Sequence, residues 1–373
     1  MDLIPAMQRA GQCLLNWADP QSEALSAGGY EVAHNIGRWF DAVLRLEHTI
    51  GFTIPPEHEA KMLRLLQLLT DNPDRMLINR PDLPWMAAFN NVINPHNLRE
   101  TMLVHHALVR YRNREPDAGR TFCESLNRCF TDAGHFDATQ LGAAGSVPFT
   151  QDPSHTEPEH PPHNWFDATA TTGRALEAVI DFHQATDDPL ALHLAQRLAQ
   201  HHLEHSTNED GSVRSEIIHP ENVGHNHSYH GTLRGLLRFG LLTGQQSYID
   251  TVAATYRVGL PQSVITESGW TPHDLGVTRF PNDDGDPVGE TASVGDNAQL
   301  ALWLARDAGQ THLLDNVERI VRSRILPAQV TEDHLRDNPD VKFGPAHLGG
   351  WGAHLPAHAA MGFALDVVAA LAH

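Results

Sequence analysis

Cysteine is scarce in this chain: Cys13, Cys123 and Cys129 are the only three among 373 residues, and none sits in a Cys-x-x-Cys pair. Three dispersed thiols cannot build a disulfide framework, and they fit a reducing compartment. Long apolar runs are missing too, none approaching the roughly 18 residues of a membrane-spanning helix. The opening Met1-Asp2-Leu3-Ile4-Pro5 lacks the basic and apolar regions of a secretion signal. The expectation is a cytoplasmic chain with no membrane partner. Basic residues are outnumbered, 26 Lys and Arg against 46 Asp and Glu, for a formal charge of −20. Such a surface repels nucleic acid and anionic lipid, since phosphate binding needs a local excess of cations. A small anionic sugar stays open, because a few inward arginines can dominate locally. No P-loop, no Gly-x-Gly-x-x-Gly after a strand and no Gly-x-Ser-x-Gly elbow occurs, which removes nucleotide cofactors and serine esterase chemistry. No cofactor is expected. What the chain has in excess is histidine, 26 in all.

Alternating β-branched runs are absent, and apolar residues recur at three- and four-residue spacing in segment after segment. The helices pair. Val32 to His48 precedes Glu57 to Leu69; Asn97 to Tyr111 precedes Ala118 to Phe130; Trp165 to Gln184 precedes Pro189 to His205. Gly231 to Leu242 then Ser247 to Arg257, and Thr291 to Arg306 then Thr311 to Arg324, continue the order. The breaks inside pairs are short and carry Gly or small polar residues, as at Thr49-Ile50-Gly51 and Leu242-Thr243-Gly244-Gln245. The breaks between pairs are long and rich in Pro, Gly, His and Trp. An N-terminal helix, Leu3 to Trp17, and a last one, Ala357 to Ala372, bring the count to about twelve. The first helix of each pair is apolar nearly all round, as buried helices are. The predicted architecture is all-α: one domain over 1–373, an (α/α)6 barrel of six inner and six outer helices. Long loops gathered on one face usually carry function.

The inner helices begin with a repeated polar signature: His34-Asn35, His96-Asn97, His163-Asn164, His225-Asn226-His227 with His230, Glu290-Thr291, and His354 with His358. Asn and Thr there are ordinary helix N-caps. Histidine is a poor capper, so its recurrence points to a ligand at the rim. His225-x-His227-x-x-His230 also has donors for zinc, but its spacing is loose and no cysteine accompanies it, so no metal ligand is assigned. Carboxylates concentrate in the loop that runs through Trp270-Thr271-Pro272-His273-Asp274 and Pro281-Asn282-Asp283 to Glu290. Glycoside hydrolysis needs two carboxyl groups, one protonated and one ionised. Glu290, at a helix start, feels the positive end of the macrodipole and suits the ionised role. Asp274 is the general-acid candidate if burial raises its pKa, and Asp283 is the third carboxylate of the set. Trp270 and Trp351 can stack on a sugar ring or pack in the core.

Pro281-Asn282-Asp283 followed by Glu290-Thr291-Ala292-Ser293-Val294-Gly295 resembles glycoside hydrolase family 127, the β-L-arabinofuranosidase type, where a Pro-Asn-Asp run precedes Glu-Thr-Cys-Ala. The likeness extends to His230 through Gly244, to His163-Asn164 and to His96-Asn97. It implies the same barrel, without the family's β-sandwich domains. In that family the motif glutamate and three cysteines hold zinc, and one cysteine is the nucleophile. Here Glu290 is kept, Ala292 replaces the motif cysteine, and the later cysteine pair expected near His354-Leu355-Pro356 is absent. The resemblance places the family's acid/base residue near Asp274, and its sugar-contacting histidines at His96, His163 and His230.

The expected function is a glycoside hydrolase that removes a terminal sugar, a uronic acid or a furanoside, from a short oligosaccharide. Asp274 and Glu290 would act as acid and base with inversion, and His34, Asn35, His227, Asn282 and His354 would bind the sugar with the residues above. Three alternatives stand beside it: an epimerase of the N-acylglucosamine 2-epimerase type, a uronate-specific lyase, and a non-catalytic sugar-binding toroid. A homo-oligomer stays open.

Overall fold

The computed structural model describes residues 2–23, 32–86, 93, 97–134, 136–137, 140–143, 172–218, 224–262, 265–276, 288–337, 345–352, 354–355, 367 and 370–372. Five helical hairpins follow one another. Helix α1 (Ile4–Trp17) leads into α2 (Val32–Ile50) with α3 (Pro56–Leu69), α4 (Asn97–Arg112) with α5 (Asp117–Cys129), and α6 (Thr172–Thr186) with α7 (Pro189–His205). The fourth pair is α8 (Asn226–Thr243) with α9 (Gln246–Ala254), the fifth α10 (Thr291–Asp307) with α11 (Leu314–Ile320). Both α9 and α11 run on through a π-turn, Thr255–Gly259 and Val321–Ile325.

Each hairpin turns at one residue with left-handed backbone: Gly51, Asn113, Asp187, Gly244 and Gly309, all with φ between 51 and 74°. Glycine and, less readily, Asn and Asp tolerate that conformation, so a short break suffices at the C-terminal end of every first helix. Asp188 then starts α7 by accepting from the Leu190 and Ala191 amides at 2.9 and 3.2 Å, with Pro189 in the first turn.

The first helix of each pair is the inner one. From Val32 to Leu46, α2 is buried without interruption. Contacts across the ring occur between residues at matching heights: Arg38 with Glu100, Arg174 with Glu100, Arg234 with Glu177, and Arg238 with Asp181. The inner helices therefore run parallel. They approach closely where side chains vanish: a methyl on Gly37 would sit 1.8 Å from the Glu100 backbone oxygen, and one on Gly173 would sit 2.2 Å from Thr232 Oγ1.

The ring closes through the chain's last residues. A methyl on Gly295 of α10 would touch Val367 and Ala370 at 3.5 and 3.7 Å, and Thr49 at the end of α2 donates to the Ala372 carbonyl at 3.2 Å. The result is the (α/α)6 toroid. Helix α1 packs on α2, where Trp39 Nε1 donates to the Leu14 carbonyl at 3.0 Å. Most of the expected last helix, Ala357 to Ala372, lies outside the described residues. Two adjustments to the sequence reading emerge. Helix α8 begins at Asn226 rather than Gly231, because the loop backbone at His273 accepts the Asn226 amide at 2.9 Å and holds the start open. A short ribbon also interrupts the all-α pattern: β1 (Gly289–Glu290) pairs antiparallel with β2 (His354–Leu355).

Candidate active site at the barrel mouth

The N-terminal ends of the inner helices are gathered by backbone pairing. Glu290 of β1 lies opposite His354 of β2, Pro272 bridges Gly289, and Asp274 bridges His225. The carboxylate-bearing loop, the start of α8 and the start of α10 thus form one edge of the mouth.

At this edge Glu290 is completely buried. His225 Nε2 lies 3.1 Å from both of its oxygens, and Ser293 Oγ donates to Oε2 at 2.6 Å. A carboxylate only accepts, so His225 carries its proton on Nε2 and its Nδ1 accepts from Ser228 Oγ at 3.1 Å. Ser228 in turn accepts from Arg174 at 3.2 Å. Burial pushes the His225 pKa down, with Glu290 opposing. Burial alone would raise the Glu290 carboxyl; His225 foremost, then His273 and His227, outweigh it and hold the group well below the usual carboxylate range. A second pair lies alongside. His273 Nδ1 donates to Asp274 Oδ1 at 2.6 Å, and the His273 and His225 rings stack with centroids 4.5 Å apart. Asp274 is 6% exposed.

Beneath this edge is a lattice of buried charges that the sequence reading did not single out. Glu100 accepts from Arg38, Arg99 and Arg174 at 3.2, 3.1 and 2.9 Å. His227 Nε2 lies 3.2 Å from both Arg38 and Arg174, which can only donate, so its proton sits on Nδ1, 2.5 Å from Asp296. Asp296 also pairs with Arg234, which reaches Glu177 at 2.8 Å. Four arginines balance Glu100, Glu177, Asp296 and Glu290. The only sequence signal for them is charge in the N-terminal halves of helices otherwise largely buried.

The expected sugar contacts divide. His34 is buried, its Nδ1 3.9 Å from Glu100 Oε1, and Asn35 lies buried beside it. His230 donates from Nδ1 to the Asn226 carbonyl at 2.9 Å, and its Nε2 lone pair has no partner among the described residues. Both side-chain atoms of Asn97 and the Thr291 hydroxyl are likewise buried and unpaired. Such groups are rare in a finished core and mark a polar surface awaiting water or ligand. Half-buried Trp270 lies over Gly289, where an added methyl would meet its Nε1 at 2.5 Å. Trp351 is placed otherwise: at 2% exposure, with Nε1 donating to the Ile325 carbonyl at 2.8 Å, it is part of the core and presents no face for stacking. His96, His163, Asn282 and Asp283 lie outside the described residues, and of His354 only the backbone is described.

The zinc implied by the family resemblance requires thiolates beside Glu290. Position 292 is a buried alanine; Cys13 is on α1, and Cys123 and Cys129 are on α5, so none is carried by an inner helix. Burial pushes these thiols up to about 12, 12 and 11. The residues do not fit that group, and no cysteine here is a poised nucleophile. His225, His273 and Glu290, whose ligand atoms lie within 4.8 Å of one another, are the described residues able to hold a divalent cation.

No family model matches the sequence, and neither does any curated protein. Solved structures do. The chain is similar to the unsaturated glucuronyl hydrolase from Bacillus sp. GL1, described as responsible for glycosaminoglycan degradation, at 13% identity over 98% of this chain and 95% of that one, with a TM-score of 0.61. It is similar to cellobiose 2-epimerase from Spirochaeta thermophila DSM 6192 at 13% identity over 91% and 84%, TM-score 0.59. A GH127 β-L-arabinofuranosidase from Geobacillus stearothermophilus T6 matches at 13% identity over 100% of this chain and 62% of that one, TM-score 0.52. Likeness at this identity establishes the shared toroid. Among the described residues no helix is long and apolar enough to cross a membrane.

Proposed function

We propose that the mouth is the active site of a glycoside hydrolase that removes a terminal sugar, a uronic acid or a furanoside, from a short oligosaccharide. The observation that carries the reading is Glu290, a fully buried carboxylate kept ionised by His225 and Ser293 at the rim where the inner helices start. An ionised, oriented carboxylate suits activation of a water or acceptance of a sugar hydroxyl. Asp274 is the acid of the pair and Asp283 the further carboxylate of the same loop. His34, Asn35, His96, His163, His227, His230, Asn282 and His354 are the sugar contacts, with Trp270 stacking on a ring face. With no cysteine nucleophile, inversion through water is the stereochemistry proposed, which requires carboxyl groups about 6.5–9.5 Å apart. Replacing Glu290 by Gln keeps the shape and removes the base. Turnover of a cleaved aryl glycoside should fall by about 10²–10⁴ with the melting temperature preserved; wild-type turnover would refute the assignment.

One observation favours a second reading. His225 with Glu290 and His273 with Asp274 are two imidazole–carboxylate pairs with their rings stacked. Two oriented imidazoles suit removal and return of a proton beside a sugar carbonyl, the chemistry of an epimerase. Solvent deuterium appearing in unhydrolysed sugar would select it over hydrolysis.

A further inference from the structure

The inner helices end, on the face opposite the mouth, around a second polar cavity of about 630 Å³. Arg45 of α2, His106 and Arg110 of α4, Asp181 of α6, Arg238 of α8 and Arg306 of α10 converge on it. A cation near a helix C-terminus is favoured by the macrodipole, which accounts for each arginine singly. Convergence of four into one cavity is a separate matter, because like charges repel unless acceptors lie between them.

Among the described residues the carboxylates fall one short of the four arginines, although Asp181 Oδ2 makes no hydrogen bond. Asp181 takes Arg238 at 2.6 Å and Arg45 at 3.6 Å, Asp41 takes Arg45 at 2.8 Å, and Asp307 takes Arg306 at 2.7 Å. Arg110 has no carboxylate among the described residues; its guanidinium lies over the Tyr111 ring, 5.6 Å from the centroid. At the cavity wall His106 is 1% exposed, and neither ring nitrogen has a hydrogen-bond partner. Burial pushes its pKa down to about 3, so it stays a neutral ring with one N–H to give. A buried donor left unpaired costs about 1–3 kcal/mol. Surplus guanidinium donors beside an unpaired imidazole call for a ligand rich in acceptor oxygens, and planar guanidinium forks match a phosphate.

We propose that this cavity binds the phosphate group of a small molecule, clamped by Arg110 and the neighbouring arginines and reached by the His106 ring. The site is distinct from the mouth and does not depend on which sugar reaction occurs there.

Calorimetric titration of the full-length chain with inorganic phosphate, at constant ionic strength in chloride, tests it. Wild type should show one saturable site with a Kd of about 1 mM or tighter. Arg110 is solvent-exposed, so Arg110→Gln should fold normally and bind at least about tenfold more weakly, a loss of about 1.4 kcal/mol. His106→Gln should weaken binding in the same direction, and Glu290→Gln at the mouth should leave it unchanged. A parallel titration with a hexose 6-phosphate separates the sources: binding about tenfold tighter than phosphate identifies a phosphorylated sugar, and equal or weaker binding identifies phosphate itself. Absence of saturable heat with both probes, or affinity unchanged in Arg110→Gln, overturns the proposal.

Discussion

Replacing Glu100 by Gln removes one charge from the centre of the barrel while keeping the side chain's shape. In the wild type this carboxylate, fully excluded from solvent, accepts from Arg38, Arg99 and Arg174 at 3.2, 3.1 and 2.9 Å. All three reach Oε1, while Oε2 is buried without a hydrogen-bond partner among the described residues, so glutamine keeps an acceptor oxygen for the arginines and removes only the charge. Breaking a buried ion pair from one side costs about 3–5 kcal/mol, because the partner charges stay buried and uncompensated. For 373 residues, an unfolding entropy of roughly 2.1 cal/mol/K per residue converts 1 kcal/mol to about 1.3 °C. The expected fall in melting temperature is therefore about 4–7 °C, read by circular dichroism and checked by urea unfolding. The pairing makes a sharper demand. Arg174→Met removes one of the stranded cations, so the double variant with Glu100→Gln should be less destabilised than the sum of the two singles, by about 1 kcal/mol or more. A Glu100→Gln melting temperature within 1 °C of wild type, or strict additivity in the double variant, would falsify the charge-lattice account.

Three further outcomes follow from named contacts. Gly37→Ala should destabilise by about 3 kcal/mol or more, because the added methyl falls 1.8 Å from the Glu100 backbone oxygen, which cannot rotate away; an unchanged urea midpoint would contradict the close approach of α2 and α4. His105 is 6% exposed and burial pushes its pKa down to about 4. Its unfolded form titrates near 6.5, so the unfolded chain takes up the extra proton first as pH falls, and stability present above about pH 6.5 is lost progressively towards pH 4. Between pH 7.5 and pH 5 this one ring should account for about 2 kcal/mol, and His105→Gln should flatten the urea-derived pH profile by that amount; an identical profile would refute it. If the paired carboxylates act by acid and base chemistry alone, dialysis against a chelator should leave turnover unchanged. Loss of turnover restored by zinc would instead assign His225, His273 and Glu290 as cation ligands.

The hairpin order was legible because its punctuation is local: Gly51, Gly244 and Gly309 stand at breaks that demand left-handed backbone. The α8 start was not, since His225-Asn226-His227 has the composition of a loop and becomes helical only when the loop at His273 holds it. Glu290 and Asp274 were visible as carboxylates in a functional loop, and His273 stands beside Asp274 in the chain, but the His225 partner of Glu290 was not visible. Which histidine faces which acid depends on two backbone bridges, His225 with Asp274 and Pro272 with Gly289, between segments far apart in the chain. Trp351 shows the opposite case: its sequence left stacking and core packing both open, and the core took it. The arginine lattice was illegible for a related reason. An arginine on a helix buried on every side reads as an anomaly until the neighbouring helix supplies its glutamate at the same height.

That lattice bears on which sugar the mouth would take. Arg38, Arg99, Arg174 and Arg234 pair with Glu100, Glu177 and Asp296, and Glu290 is buried above them, so the buried side chains at this level carry no clear excess of either sign. What tips the balance is the parallel arrangement of the inner helices, whose N-termini all point the same way and each place roughly half a positive charge at the mouth. Against a chain of formal charge −20, this local field is the one feature that favours an anionic group there. If the terminal sugar is a uronic acid, its binding therefore leans on helix ends at a solvent-accessible rim, and screening by salt should weaken it. KM for a uronide should rise severalfold between about 0.01 and 0.15 M salt, where the Debye length falls from roughly 30 to 8 Å, while kcat stays constant. A neutral furanoside would be held by His, Asn and Trp contacts alone and should show no such slope, so a flat KM for a cleaved uronide would remove the field argument and leave shape and hydrogen bonding to set the choice.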